Sequence, residues 1–154
     1  MNSMFSEVFE VIILAMSPII HSGAVPLGLA IELNPTVVLL ASVVGNIVSV
    51  SILLLGLGRL DSHLKGMVFY ERTVERARSS SSKYVNSYGA LGLVLVVMTP
   101  GFGSWTGCIA AFISGMNKKI AIISLAIGIL VSEMLILAGC LGLIAIWNNL
   151  IIGF

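Results

Sequence analysis

Charge is what this chain has least of: 10% of its 154 residues are charged, and no Lys or Arg occurs before Arg59. The net charge of +1 offers no field for nucleic acid, and no basic stripe is interleaved with aromatics. Residues 1–10 carry Glu7 and Glu10 but no basic residue. A secretory signal needs a basic start and a cleavage site, so this segment is expected to be retained. Cysteine is scarce too. Cys108 and Cys140 sit in apolar stretches without metal-ligand spacing and are expected to pack as small residues. No Walker motif is present, so ATP is not expected to drive anything. No nucleophile–base or metal constellation is visible; neither an enzyme nor a cofactor is implied.

What is abundant is apolar sequence, 58% of the chain. Such a composition lies far outside the soluble average and points to one compact membrane domain, residues 1–154. Four hydrophobic segments can be drawn. Residues 8–33 are interrupted by Pro18, His21, Ser22, Gly23 and Pro26; residues 36–58 form an uncharged run long enough for a clean span. Residues 84–117 are uncharged but too long for one span, and they break at Pro100-Gly101-Phe102-Gly103. Residues 120–147 form a span whose one charge, Glu133, lies near its middle. Between the second and third segments, residues 59–83 read as a short helix on the membrane surface followed by a serine-rich link, or as a plain solvated linker.

The basic residues fall in two clusters, Arg59 to Lys83 and Lys118–Lys119. Lys and Arg stay preferentially on the cytoplasmic side. Four full crossings would separate the clusters. If segments 8–33 and 88–117 instead dip in and return, both clusters become cytoplasmic, with Glu7, Glu10 and Glu32 outside. Length agrees, since an arm of about 13 residues gives roughly 20 Å of helix against a core about 30 Å thick. Gly and Pro supply the special backbone at the tips, which must be buried in protein or line a wet cavity.

Under this threading the chain is two copies of one unit in opposite orientations, a re-entrant helical hairpin followed by a transmembrane helix. Ala41, Gly45 and Ser49 make a small-residue stripe; Ser124, Gly128 and Ser132 make another. Residues at that spacing share one helix face and let backbones approach closely. Each stripe adjoins a polar residue near mid-span, Asn46 and Glu133. Inverted repeats with broken helices meeting at the midplane are a recurrent plan of secondary transporters, although packing alone also produces such stripes.

The string Met98-Thr-Pro-Gly-Phe-Gly-Ser-Trp-Thr-Gly107 resembles the PGTGAWTG signature of the putative small multidrug export protein family. Tyr88-Gly-Ala-Leu-Gly-Leu93 is similar to that family's KYGxxGL entry, and Gly23-Ala-Val-Pro-Leu-Gly28 to its ELRGAIPLG motif. The similarity covers essentially the whole chain. The family is distantly similar in plan to the DedA/VTT membrane proteins, which carry paired re-entrant helices. One departure stands out: Ile20, His21 and Ser22 occupy the place of the family's Glu and Arg.

Glu133 is the sharpest functional candidate. A carboxylate at mid-membrane costs about 2.5–3.5 kcal/mol on insertion scales and suits a proton carrier, or else ties helices together. His21, with an ordinary pKa of about 6.5, suits proton relay or an anionic headgroup, and equally a loop cap. The tip Pro100, Gly101, Gly103, Ser104, Trp105, Thr106 and Gly107 opens a half-helix whose N–H groups attract anions. Ser104 is a natural N-cap there, and Trp105 a belt aromatic or a lid. With Ser22, Gly23, Pro26 and Asn46 these residues form the expected pathway.

The sequence thus predicts an all-helical, multi-pass protein of the inner membrane. It is expected to be a homodimer embedded in the lipid bilayer and to export a small or amphipathic solute, proton-coupled through Glu133. Two alternatives stand beside this: a DedA-like carrier or flippase of lipid phosphates, and a membrane assembly factor that transports nothing.

Overall fold

The computed structural model describes residues 2–17, 21–64, 89–98 and 103–152, with backbone only at 2–3, 21, 61–64 and 151–152. All of the regular structure in it is helical: α1 Asn2–Met16, a 3-10 turn His21–Gly23, α2 Ala24–Ala30, α3 Pro35–Leu64, α4 Gly89–Met98, α5 Gly103–Ile113 and α6 Lys118–Ile152. Of these, α3 and α6 are long and apolar enough to cross a membrane. No proline interrupts α3 after Pro35, and it carries on past Gly58 through Arg59 to Leu64. The surface helix expected at 59–83 otherwise lies outside the described residues, as do Pro18, Pro100 and Gly101.

Both long helices start the same way. Leu33 N–H reaches back to Gly28 O (3.1 Å) and Glu32 N–H to Leu29 O (3.1 Å), closing the end of α2. Met116 to Ala111 (3.2 Å) and Gly115 to Phe112 (3.0 Å) close α5 identically. This 6→1, 5→2 pairing needs one residue in the left-handed region. Gly115 (φ 68°) takes it without a Cβ penalty; Glu32 (φ 61°) takes it at a cost of about 1–2 kcal/mol. An asparagine follows in each case. Asn34 Oδ1 accepts from Thr36 N–H (2.9 Å) and Asn117 Oδ1 from Lys119 N–H (3.0 Å). Each is an N-cap worth about 1 kcal/mol.

The displacement that carries Asn34 onto Asn117 also carries the buried face of α3 onto that of α6. Val38, Ala41, Ser42, Gly45, Asn46, Ser49 and Val50 are buried on α3; Ala121, Ser124, Leu125, Gly128, Ile129 and Glu133 are buried on α6, with Ser132 half-buried. Gly45 lets α1 come so near that an added Cβ would lie 2.6 Å from Ile12 O and 2.8 Å from Ala15 Cβ. At Gly128 it would lie 2.8 Å from Val97 Cβ and 3.2 Å from Val94 O. Glycine is therefore a packing requirement at both positions.

These contacts fix directions. Val11 approaches Val38 by way of Gly28, Ile12 and Ala15 approach Gly45, and Ser49 Oγ donates to Met16 O at 3.0 Å. Hence α1 runs parallel to α3 and stops beside its middle, while α2 folds back along both. By contrast, α3 and α6 are antiparallel: the Lys118 ammonium lies where a Gly58 Cβ would point, and Asn46 bonds Glu133. Lys118 and Arg59 therefore stand at one end of the bundle, and Glu32 at the other.

The faces are sorted in reverse of a water-soluble bundle. Small and polar side chains point inward, whereas Leu40, Ile52 and Ile123 are each 60% exposed. Leu130 and Met134 continue this apolar exterior on α6. Water penalises contiguous exposed apolar area, whereas lipid does not, and small inward residues let helices pack closely in lipid.

Candidate functional site

Where α3 and α6 cross, α5 enters and three polar side chains link up. Ser104 Oγ donates to Asn46 Oδ1 (2.9 Å), and Asn46 Nδ2 donates to Glu133 Oε1 (2.8 Å). All three residues are at least 97% buried. Each element contributes one group for a local reason. Asn46 and Glu133 lie on the inward faces, one position after Gly45 and Ser132 respectively. Ser104 follows Gly103, whose φ of 70° turns the chain into α5. Gly107, further along α5, lets that helix press against Val97.

The arrangement leaves the carboxyl half satisfied. Glu133 Oε2 and Ser42 Oγ are both buried without a hydrogen-bond partner among the described residues. Ser42 faces the Glu133 carboxyl, short of hydrogen-bond geometry. Beside them lies a cavity of about 10 Å³ for the centre of a water molecule, lined by Asn46, Val97, Gly103, Ser104, Ile129, Ser132 and Glu133. That is room for about one water. Among the described residues no cation lines it, and an ionised carboxylate buried without one costs several kcal/mol. Among the described residues no three His, Cys, Asp or Glu side chains converge as metal ligands would.

The expected site residues divide. Asn46, Gly103, Ser104 and Glu133 come together. Ser104 caps nothing; its hydroxyl is committed to Asn46, a tertiary partner displacing the local role expected of a serine there. Thr106, Ser22 and Pro26 are exposed, and Gly23 is half-buried. The His21 side chain, like Pro100 and Gly101, lies outside what is described. Trp105 is half-buried and its Nε1 lacks an acceptor among the described residues. It borders an apolar groove of about 520 Å³ with Met16, Ser49, Ile52, Leu53, Gly56, Leu57 and Leu60. The Cys108 thiol packs toward Val50 O at 3.5 Å. Sequence reasoning missed Ser42, although it lies four residues before Asn46 and therefore on the same face.

Two helices long and apolar enough to cross a membrane, with large apolar side chains on the outside of the bundle, suit a membrane protein. The chain belongs to the family described as "Putative small multi-drug export protein", which matches residues 21–135 and so includes Asn46, Ser104 and Glu133. No curated protein and no solved structure matches the chain.

Proposed function

We propose that this protein is a proton-coupled secondary transporter of the inner membrane that exports a small or amphipathic solute, with Glu133 as the group that carries the proton. The observation behind this reading is the Glu133 carboxyl itself, buried at the crossing of three helices with one oxygen unpartnered and no cation beside it among the described residues. A neutral, protonated carboxyl fits that setting. An ionised one must recruit water or move, which is the alternation a coupled carrier needs. Family membership supports export as the direction.

The test is Glu133→Gln, which keeps the acceptor for Asn46 and removes the titration. In proteoliposomes challenged with amphipathic cations such as ethidium, the wild type is expected to move protons, reported by trapped pyranine. The variant should be folded and inactive. Proton movement at the wild-type rate in the variant would end the proposal.

We further propose that α1–α2 and α4–α5 are re-entrant hairpins in an inverted repeat, and that two copies associate to bury the tips. Support comes from α1 ending beside mid-α3, from the antiparallel long helices, and from the shared caps at Asn34 and Asn117. In a background lacking Cys108 and Cys140, cysteines at Glu32 and Asn117 are expected to react with impermeant thiol reagents from opposite sides. Four plain crossings would put both on one side, so labelling from the same side refutes the hairpins.

A further inference from the structure

We infer that Ser42 is the hydrogen-bond partner of the second Glu133 oxygen and that the transported proton resides between the two. The inference rests on the proton-carrier reading of Glu133 for its use, but its geometry stands on its own. Ser42 is fully buried and Glu133 is 2% exposed; Ser42 stands against the Glu133 carboxyl, and its Oγ and Glu133 Oε2 are both without a partner among the described residues. Two buried orphans that face one another satisfy each other at the cost of a small rotation, and each otherwise forfeits the penalty of an unmade bond.

The chemistry of the neighbours leaves Ser42 as the group that can follow the proton. Asn46 Nδ2, which holds Oε1, can only donate, and Asn46 Oδ1, which accepts from Ser104, can only accept, so neither atom can reverse its role. A serine hydroxyl both donates and accepts. With Glu133 ionised, Ser42 O–H donates to Oε2. When Oε2 takes a proton from hydronium, one O–H bond of the hydronium breaks to leave water, a new O–H bond forms at Oε2, and that O–H donates to Ser42 Oγ. The net change is one proton gained by the carboxyl and a reversal of one hydrogen bond, with no other atom transferred. The chain Ser104 → Asn46 → Glu133 → Ser42 then runs in one donor direction, which strengthens each link.

Among the described residues, other titratable groups stand away from the pair. On α1 they are Glu7, half-buried, and Glu10, exposed, neither of which lines the cavity. On α3 they are Arg59, Asp61 and His63, each at least 13 residues beyond Asn46 and so about 20 Å or more along the axis. On α5 it is Cys108, whose thiol is directed to Val50 O. On α6 they are Lys118 and Lys119 at the basic end and Cys140 two turns on, and α2 carries none. None of them lines the cavity.

The experiment is infrared difference spectroscopy across a pH jump on the full chain in nanodiscs, with proton-driven transport measured in parallel. The wild type is expected to give a protonated-carboxyl C=O band that Glu133→Gln abolishes. Ser42→Ala removes an orphan hydroxyl and should fold. It is expected to keep the band but move it to higher frequency, and to slow transport about tenfold, the ratio for one ordinary hydrogen bond. Ser42→Cys, a weaker partner of similar shape, should fall between. A band at the wild-type position in both Ser42 variants would overturn the role of Ser42 while leaving Glu133 as carrier. A band that survives Glu133→Gln would overturn both.

Discussion

Gly45→Val is expected to destabilise the folded protein severely, whereas Gly56→Val, further along the same helix, should be nearly silent. A Cβ at Gly45 would sit 2.6 Å from Ile12 O and 2.8 Å from Ala15 Cβ; at Gly56 it would meet nothing within 4 Å. The obstruction at Gly45 is backbone, and α1 cannot yield by a rotamer change. It must be pushed off α3, which would break the Ser49–Met16 bond and open the cluster of Val11, Ala15, Ala24 and Ala41. Overpacking costs about 1–3 kcal/mol even where side chains can adjust. With valine's further methyls against a carbonyl, we expect about 3 kcal/mol or more, a large part of the 5–15 kcal/mol that usually holds a domain together. Gly128→Val should behave like Gly45→Val, because Val97 and Val94 O occupy the equivalent places. The readout is reaction of the buried Cys108 thiol with a fluorogenic maleimide during heating in detergent. Equal melting of the Gly45 and Gly56 variants would refute the close approach of α1.

The contrast between those glycines shows what was legible in the sequence. The stripes Ala41–Gly45–Ser49 and Ser124–Gly128–Ser132 could be read from spacing, and they lie on the buried faces. Spacing assigns residues to a face, however, and says nothing about the register in which two faces meet. The bond from Asn46 to Glu133 depends on where antiparallel α3 and α6 cross, a property of the packed bundle. Ser104 was expected in the pathway, but its partner was not legible for a related reason: local rules make a serine at a helix start a cap, and an acceptor 58 positions away takes its hydroxyl instead. The shared caps at Asn34 and Asn117 escaped notice because Glu32 fills a place that glycine usually takes, as Gly115 does in the second half.

Within this repeated frame the polar residues depart from the pattern. The displacement that superposes the caps and the stripes sets Asn46 on Ile129 and Val50 on Glu133. Asn46 on α3 and Glu133 on α6 therefore stand on different rungs. A purely structural polar network would gain nothing from that arrangement over the apolar pair already available at Ile129 and Val50, which pack in the larger core cluster.

Asn46→Leu tests this most severely. Leucine conserves shape closely, so packing should survive while both hydrogen bonds vanish. Ser104 Oγ loses its acceptor and Glu133 Oε1 its donor, each buried. At about 1–3 kcal/mol for each orphaned group, the expected loss is about 2–6 kcal/mol, with the proposed proton-driven transport abolished. The double variant Asn46→Leu with Glu133→Leu should melt well above the single one, because an apolar pair replaces a buried carboxyl left without its donor. The coupling from the double-mutant cycle is expected at about 1–3 kcal/mol. Recovery of stability without recovery of transport would mean that the cluster is kept for what it does at the expense of the fold. If the double variant is no more stable than the single, Glu133 does not depend on Asn46, and the cluster has been misread at its central bond.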